Sequence, residues 1–255
     1  MGTDKKKSIA NFYLGLKFSF SYFSILPINF KKSDDLSKKE VLASMLLFLP
    51  LVGFILGLGT VVLFSFLAHL EWYAAVLSAV LYIMLYGFIH TEAVIDVADA
   101  IYASHSGKDA YAIIKDPTVG AMGVLYAIGF VLLKVSGIVY LFTHNFLVEF
   151  VAVLIISRLS LLLLFKIHTF NSSFATQLKE SFSSKYFITT YLIFMVIGSL
   201  LISNFIFLLL GGMALALLIS FYIKSKIGFV NGDVLGATLE AVEILLFLAV
   251  ALFMV

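Results

Sequence analysis

A bundle of α-helices embedded in a membrane, all-α and polytopic, is the architecture to expect from this sequence, on three grounds. Hydrophobic residues make up 62% of the 255 residues and charged residues only 13%. Mean hydropathy is +1.10, outside the range of soluble globular chains. Apolar runs of about 20 residues, the length that crosses a bilayer core, recur between short polar breaks. The length allows about seven or eight such spans. Residues 1–255 therefore read as one integral membrane domain: an interfacial helix and charged linker over 1–40, then a bundle over 41–255. The chain has no Cys, which excludes disulfides and thiolate metal sites.

The N-terminal stretch superficially resembles a signal peptide, with a basic head before an apolar run, but it lacks a small-x-small cleavage site. Ile9, Phe12, Tyr13, Leu16, Phe20 and Phe23 recur at helical spacing, and Pro27 marks the end. This pattern predicts an amphipathic helix lying on the membrane or packed on the bundle. After the linker KKSDDLSKKE, the first span is expected over 41–68, kinked at Pro50, with Gly53 and Gly57 suited to close helix packing. The second is expected over 73–98, followed by a short helix within 104–118 that Pro117 closes. Spans three and four are placed at 119–142 and 146–165, then a polar loop over 168–185. Spans five, six and seven are placed at 187–202, 205–223 and 233–255.

This order puts the loop lysines, from Lys5 to Lys226, on one side, while the turns around His69, Asn145 and Ser203 carry no Lys or Arg. The positive-inside rule then predicts a cytoplasmic N-terminus and an external C-terminus.

Ionisable residues inside such a bundle need a reason. Glu92, Asp96 and Asp99 stand at i, i+4 and i+7, so they share one helix face, while His90 lies nearly opposite. A carboxylate at mid-bilayer costs about 2.5–3.5 kcal/mol on insertion scales, so three on one stripe call for water, cations or a metal. An ordinary solvated helix end is the plainer alternative; a divalent cation bridging to a substrate phosphate is the sharper one. A second ladder, Asp233, Glu240 and Glu243, starts at the same membrane face and climbs roughly 15 Å. Lys134 and Arg158 are the buried cations, with Lys115 and Asp116 at the rim. The acids outnumber these cations, so protons or a metal should balance the rest, although Lys134 and Arg158 could simply be salt-bridge partners. Gly120 and Gly123 open the third span, where free amides and the helix dipole would suit a phosphate.

At these residues the chain resembles the cobalamin synthase family, the adenosylcobinamide-GDP ribazoletransferases. The family pattern H-x-D-G-x-x-D-x-x-D-G is matched by His90, Asp96 and Asp99, with Glu92 for the first Asp and Ala93 and Ala100 for the glycines. R-D-x-x-x-G-x-x-G is matched by Asp116, Gly120 and Gly123, with Lys115 for Arg. T-G-D-x-x-G-A-x-x-E-x-x-E is matched by Gly232, Asp233, Gly236, Ala237, Glu240 and Glu243, with Asn231 for Thr. Leu26-Pro27, Pro50, Gly53, Gly57, Lys134 and Ser157-Arg158 extend the match along almost the whole chain.

The resemblance implies a Mg²⁺-dependent transferase of the prokaryotic cytoplasmic membrane, its active site facing the cytoplasm. Such an enzyme joins adenosylcobinamide-GDP to α-ribazole or its 5′-phosphate and releases GMP. Glu92, Asp96, Asp99 and Asp116 are then expected to hold the metal, with Asp96, Asp99, Asp116 and His90 as catalytic groups. Lys115, Gly120, Gly123, Lys134, Arg158, Asp233, Glu240 and Glu243 are expected at the substrates. The implied partners are the corrinoid nucleotide, the ribazole and the bilayer, with no nucleic acid and with room for a homo-oligomer. The competing class is a cation-coupled secondary transporter, which usually shows an internal repeat, midplane acids and often discontinuous helices. No repeat is visible here, and the acids open to one side.

Overall fold

A computed structural model describes residues 2–253, with side chains from Lys7 onward. The side chains of Lys5 and Lys6, and the last two residues of the span expected to reach Val255, lie outside the described residues. Among the described residues six helices are long and apolar enough to cross a membrane, and a helix pair bent by 76° makes up to seven if it crosses as one span.

Helix α1 (Gly2–Tyr22) packs on α2 (Lys39–Leu47). A side chain at Gly15 would overlap Ser44, whose hydroxyl donates to the Phe12 carbonyl at 2.8 Å. The apolar residues Ile9, Phe12 and Tyr13 stay exposed, while Leu14, Gly15 and Ser19 are buried. Thus α1 rests on the bundle through Leu14, Gly15 and Ser19, with Phe18 and Phe20 against the core, and turns Ile9, Phe12 and Tyr13 outward, as an interfacial helix does.

The expected first span is split. α2 stops at Leu47 and α3 (Leu49–Leu67) begins one residue later. Pro50 falls in the first turn of α3, where its missing N–H breaks no helical bond. A single 3-10 turn, Ala68–Leu70, leads to α4 (Trp72–Leu85). The expected second span is also divided: α5 (Ile89–His105) leaves α4 at 76°. Gly87 (φ 68°) and Phe88 (φ 56°) are both left-handed, which ends α4 and redirects the chain.

Then come α6 (Ala110–Lys115), α7 (Ala121–Thr143), α8 (Leu147–Ile167), α9 (Ser173–Ser181), α10 (Ser184–Leu201), α11 (Phe205–Ile227) and α12 (Gly232–Phe253). The polar 168–185 stretch is thus not all loop. Ser172 caps α9, and Ala175 and Leu178 turn inward.

Two helices form the interior. About four fifths of the α8 span is buried (78%) and two thirds of α12 (67%), against 22–28% for the other single-helix spans. α8 packs on α3, α11 and α12, and α12 packs on α5, α7 and α11. The approach of α3 to α8 depends on Gly53, where a Cβ would lie 2.7 Å from the Leu154 carbonyl oxygen and 2.8 Å from Arg158 Cδ. The remaining helices present apolar faces outward, with Phe66, Leu200, Phe207 and Leu218 each at least two thirds exposed, as lipid contact requires.

Candidate active site

The break after α4 is what positions the acids. It swings α5 against α12 along a line where Ala93 meets Gly236, so close that a Cβ on Gly236 would sit 2.7 Å from that of Ala93. Asp96 then lies within charge–charge reach of Asp233, Glu92 and Asp99. Glu92 is exposed, and Asp96, Asp99 and Asp233 are half-buried. The two expected ladders therefore begin side by side, and their outer members form one acidic mouth.

Further along, the ladders diverge in character. Glu240 and Glu243 are fully buried and engaged by the two buried cations. The Lys134 ammonium lies 2.7 Å from Glu240 Oε2 and 2.7 Å from Glu243 Oε2, and Arg158 Nη1 pairs with Glu243 Oε1. Tyr86 donates to Glu240 at 2.9 Å, Ser157 to Glu243 at 3.0 Å, and Tyr82 to Glu243 at 3.2 Å. This network ties α4, α7, α8 and α12 together, and its two carboxylates are matched by two cations. Its members keep to one another, away from the mouth.

Asp99 has its own role in the fold. It accepts from the Gly120 amide and from the Gly123 amide, each at 2.7 Å. A side chain at either glycine would overlap Asp99, so G-x-x-G here admits a carboxylate from α5 to the N-terminus of α7. The amides expected to face a phosphate are taken by this cap. Asp116 is exposed and accepts from the Thr118 amide at 2.9 Å and its hydroxyl at 2.7 Å. Those bonds favour the carboxylate and hold its pKa below the ordinary aspartate value.

Two hollows flank the mouth. One, of about 280 Å³, is shallow and bordered by Asp99, Asp116, Thr118 and Gly120. The other, also about 280 Å³, lies under the end of α1, bordered by His90, Lys115, Asn231 and Asp233 with Tyr22, Phe23, Phe165 and Phe174. His90, on the opposite side of α5 from the acids, faces this second hollow beside the Phe23 ring, 6.4 Å away. Lys115 is close enough to Asp233 to act on its charge.

Sequence reasoning missed Tyr82 and Tyr86, and it missed the aromatic wall. The i, i+4 tyrosine pair in an otherwise apolar helix was a readable sign; the wall comes from α1, α8 and α9, which only the fold brings together.

A metal must fit these donors. Among the described residues no three His, Asp or Glu side chains converge tightly enough to enclose an ion. Magnesium, however, is commonly held by one or two carboxylates while water and substrate phosphate fill its octahedron. Asp96 opposite Asp233, with Glu92 a turn away, suits that open mode and does not suit a closed protein cage.

A family profile described as cobalamin-5-phosphate synthase matches residues 15–251. The chain is 28% identical over 240 residues to an adenosylcobinamide-GDP ribazoletransferase of Brevibacillus brevis, covering 88% of this chain and 92% of the relative. It is 30% identical over 234 residues to the protein of that name from Chlorobium phaeovibrioides, covering 82% and 88%. It is 28% identical over 247 residues to the one from Clostridium tetani, covering 93% and 94%. No solved structure matches.

Proposed function

The chain belongs to the cobalamin-5-phosphate synthase family, and from that premise we propose that it joins adenosylcobinamide-GDP to α-ribazole or its 5′-phosphate in a Mg²⁺-dependent transfer at the α5–α12 mouth. The observation that carries this reading is the packing of α5 on α12, which sets Glu92, Asp96 and Asp99 beside Asp233 between two hollows.

A ribose hydroxyl of the acceptor attacks the phosphorus on the cobinamide side of the diphosphate. A P–O bond forms to the ribose, the bridging P–O bond to GMP breaks, and GMP leaves with the electron pair. The hydroxyl proton passes to a base, for which His90 and the outer carboxylates are the groups within the site. Bound Mg²⁺ supplies charge neutralisation for the diphosphate and the departing GMP. Glu92, Asp96 and Asp233 would hold it, with Asp116 at the rim and Asp99 contributing the oxygen lone pairs left by its cap. Lys115 orients phosphate from the rim. Lys134, Arg158, Glu240 and Glu243 act through α12, by bracing the helix that carries Asp233.

The lysine asymmetry supports a mouth that opens to the cytoplasm of a prokaryotic inner membrane. A discontinuous α4–α5 span is a feature carriers share, but the family match favours chemistry. The test is a transfer assay in membranes with adenosylcobinamide-GDP, ribazole phosphate and Mg²⁺. Corrinoid product and GMP should appear in equal amounts and stop on chelation. Transfer that survives chelation removes the metal, and gradient-driven uptake without GMP release favours a carrier.

A further inference from the structure

Resting on the transferase reading above, we infer that the hollow under the end of α1 is the subsite for the acceptor's base: it encloses the flat, largely apolar heterocycle of the ribazole and turns the ribose toward Asp233 and Lys115. An apolar cavity of about 150 Å³ accommodates a benzene ring. A hollow of about 280 Å³ therefore has room for a fused bicyclic ring. Part of its wall is aromatic and aliphatic, and Lys115, Ser172, Asn231 and Asp233 make the rest polar. Phe23 and Phe165 line one part, and Phe174 and Leu178 of α9 line another. Tyr22 and Phe174 stand 5.5 Å apart at 37°, a pair of rings at the rim against which a flat guest can stack.

The second observation is His90. It is only 5% exposed, its ring lies between Phe23 and Tyr86, and it borders the hollow. Among the described residues its ring makes no hydrogen bond. A ring nitrogen that borders the hollow without a protein partner is open to one from a guest.

The donor's guanine is also an aromatic heterocycle, but the aromatic part of the wall offers it few partners, so it would have to reach Asp233, Lys115 and Ser172 on the polar part. Guanine has several donors and acceptors around its edge, and burying them unpaired is costly. Asn231, the amide side chain on this wall, is already committed: its Nδ2 donates to Asp233 at 2.7 Å and its Oδ1 accepts from the Val234 amide at 3.1 Å. A benzimidazole asks for one polar partner, and His90 provides one, which leaves the ribose hydroxyl proton to the outer carboxylates. α1 and α9 thereby become specificity elements, because the base fits only where Tyr22, Phe174 and Leu178 leave space.

The experiment uses the full chain in lipid nanodiscs and reads binding of radiolabelled α-ribazole and of labelled GMP, beside initial rates with each substrate varied. Phe174→Ala should weaken ribazole binding and raise the acceptor KM about tenfold, the loss of one stacking wall, with the donor KM within about twofold. Leu178→Trp, which fills the hollow, should abolish ribazole binding. Tyr22→Ala, at the exposed rim, gives a smaller loss of the same kind and serves if the buried Leu178 variant does not fold. Unchanged ribazole binding in the variants that fold, no ribazole binding by the wild type, or a loss confined to GMP overturns the subsite. Binding is read without turnover, so a protein that binds ribazole here yet transfers nothing refutes the transferase reading alone. A protein that transfers normally while its variants keep full acceptor affinity refutes the subsite alone.

Discussion

Along α12 the same functional group meets two different fates. Glu240 and Glu243 sit in a closed set, each oxygen answered by Lys134, Arg158, Ser157 or a tyrosine. Two turns earlier Asp233 lies within charge–charge reach of Asp96 and Glu92, held by the Asn231 amide, and among the described residues Lys115 is the cation that acts on it. Burial separates the two regions. Where the chain excludes water completely it matches every charge, because an unmatched one would cost several kcal/mol. Where the helices open, negative charge is left over, and left-over negative charge is what a divalent cation can use. The inner set braces the bundle; the outer set is the one proposed to react.

Breaking the inner set should have the largest effect. Glu243→Leu leaves Arg158 without its carboxylate in a dry interior, and a cost of about 3–5 kcal/mol is expected. It should appear as loss of folded protein from the membrane and a lower unfolding midpoint. Replacing Arg158 by Leu as well should recover part of that loss, since no orphan charge then remains. Asp96→Asn addresses the other region: transfer should fall about 100-fold or more, while the unfolding midpoint stays near wild type as for other half-exposed sites. Loss of stability without selective loss of transfer would erase the distinction.

Close helix approach comes next. Gly236→Ala should cost about 1–3 kcal/mol by overpacking against Ala93. Adding Ala93→Gly should restore the fit, which thermal unfolding of the single and double variants checks. The smallest effect concerns Asp116, whose hydrogen bonds from Thr118 depress its pKa. Its folded value lies below the unfolded one, so the turn's contribution is present above the ordinary aspartate range and is lost as pH falls through the depressed value. Thr118→Val should move the Asp116 carboxyl titration back toward the ordinary value, as NMR can follow.

The spans were legible because crossing a bilayer demands long apolar runs, and α7, α8, α10, α11 and α12 lie close to where those runs do. The break at Phe48 was partly legible, because Pro50 marked a kink in that span; the one at Gly87–Phe88 was not, since hydrophobicity continues through it and only the left-handed backbone shows that α5 turns away. The acidic ladders were readable as helix faces. Their partners were not: Lys134 meets Glu240 across 106 positions of sequence, and no local pattern records such a pairing. The phosphate expected at Gly120 and Gly123 met a competitor, because a carboxylate on a neighbouring helix satisfies the same amides.

Binding of Mn²⁺ as a magnesium surrogate, followed by its paramagnetic signal in the presence of adenosylcobinamide-GDP, tests the division of labour most directly. Asp96→Asn should lose the bound ion, and Glu240→Gln, whose amide oxygen can still accept from Lys134 while Glu243 keeps its pairing, should retain it in the protein that folds. Equal binding by Asp96→Asn and wild type, or loss of the ion on Glu240→Gln in a folded protein, would contradict the account.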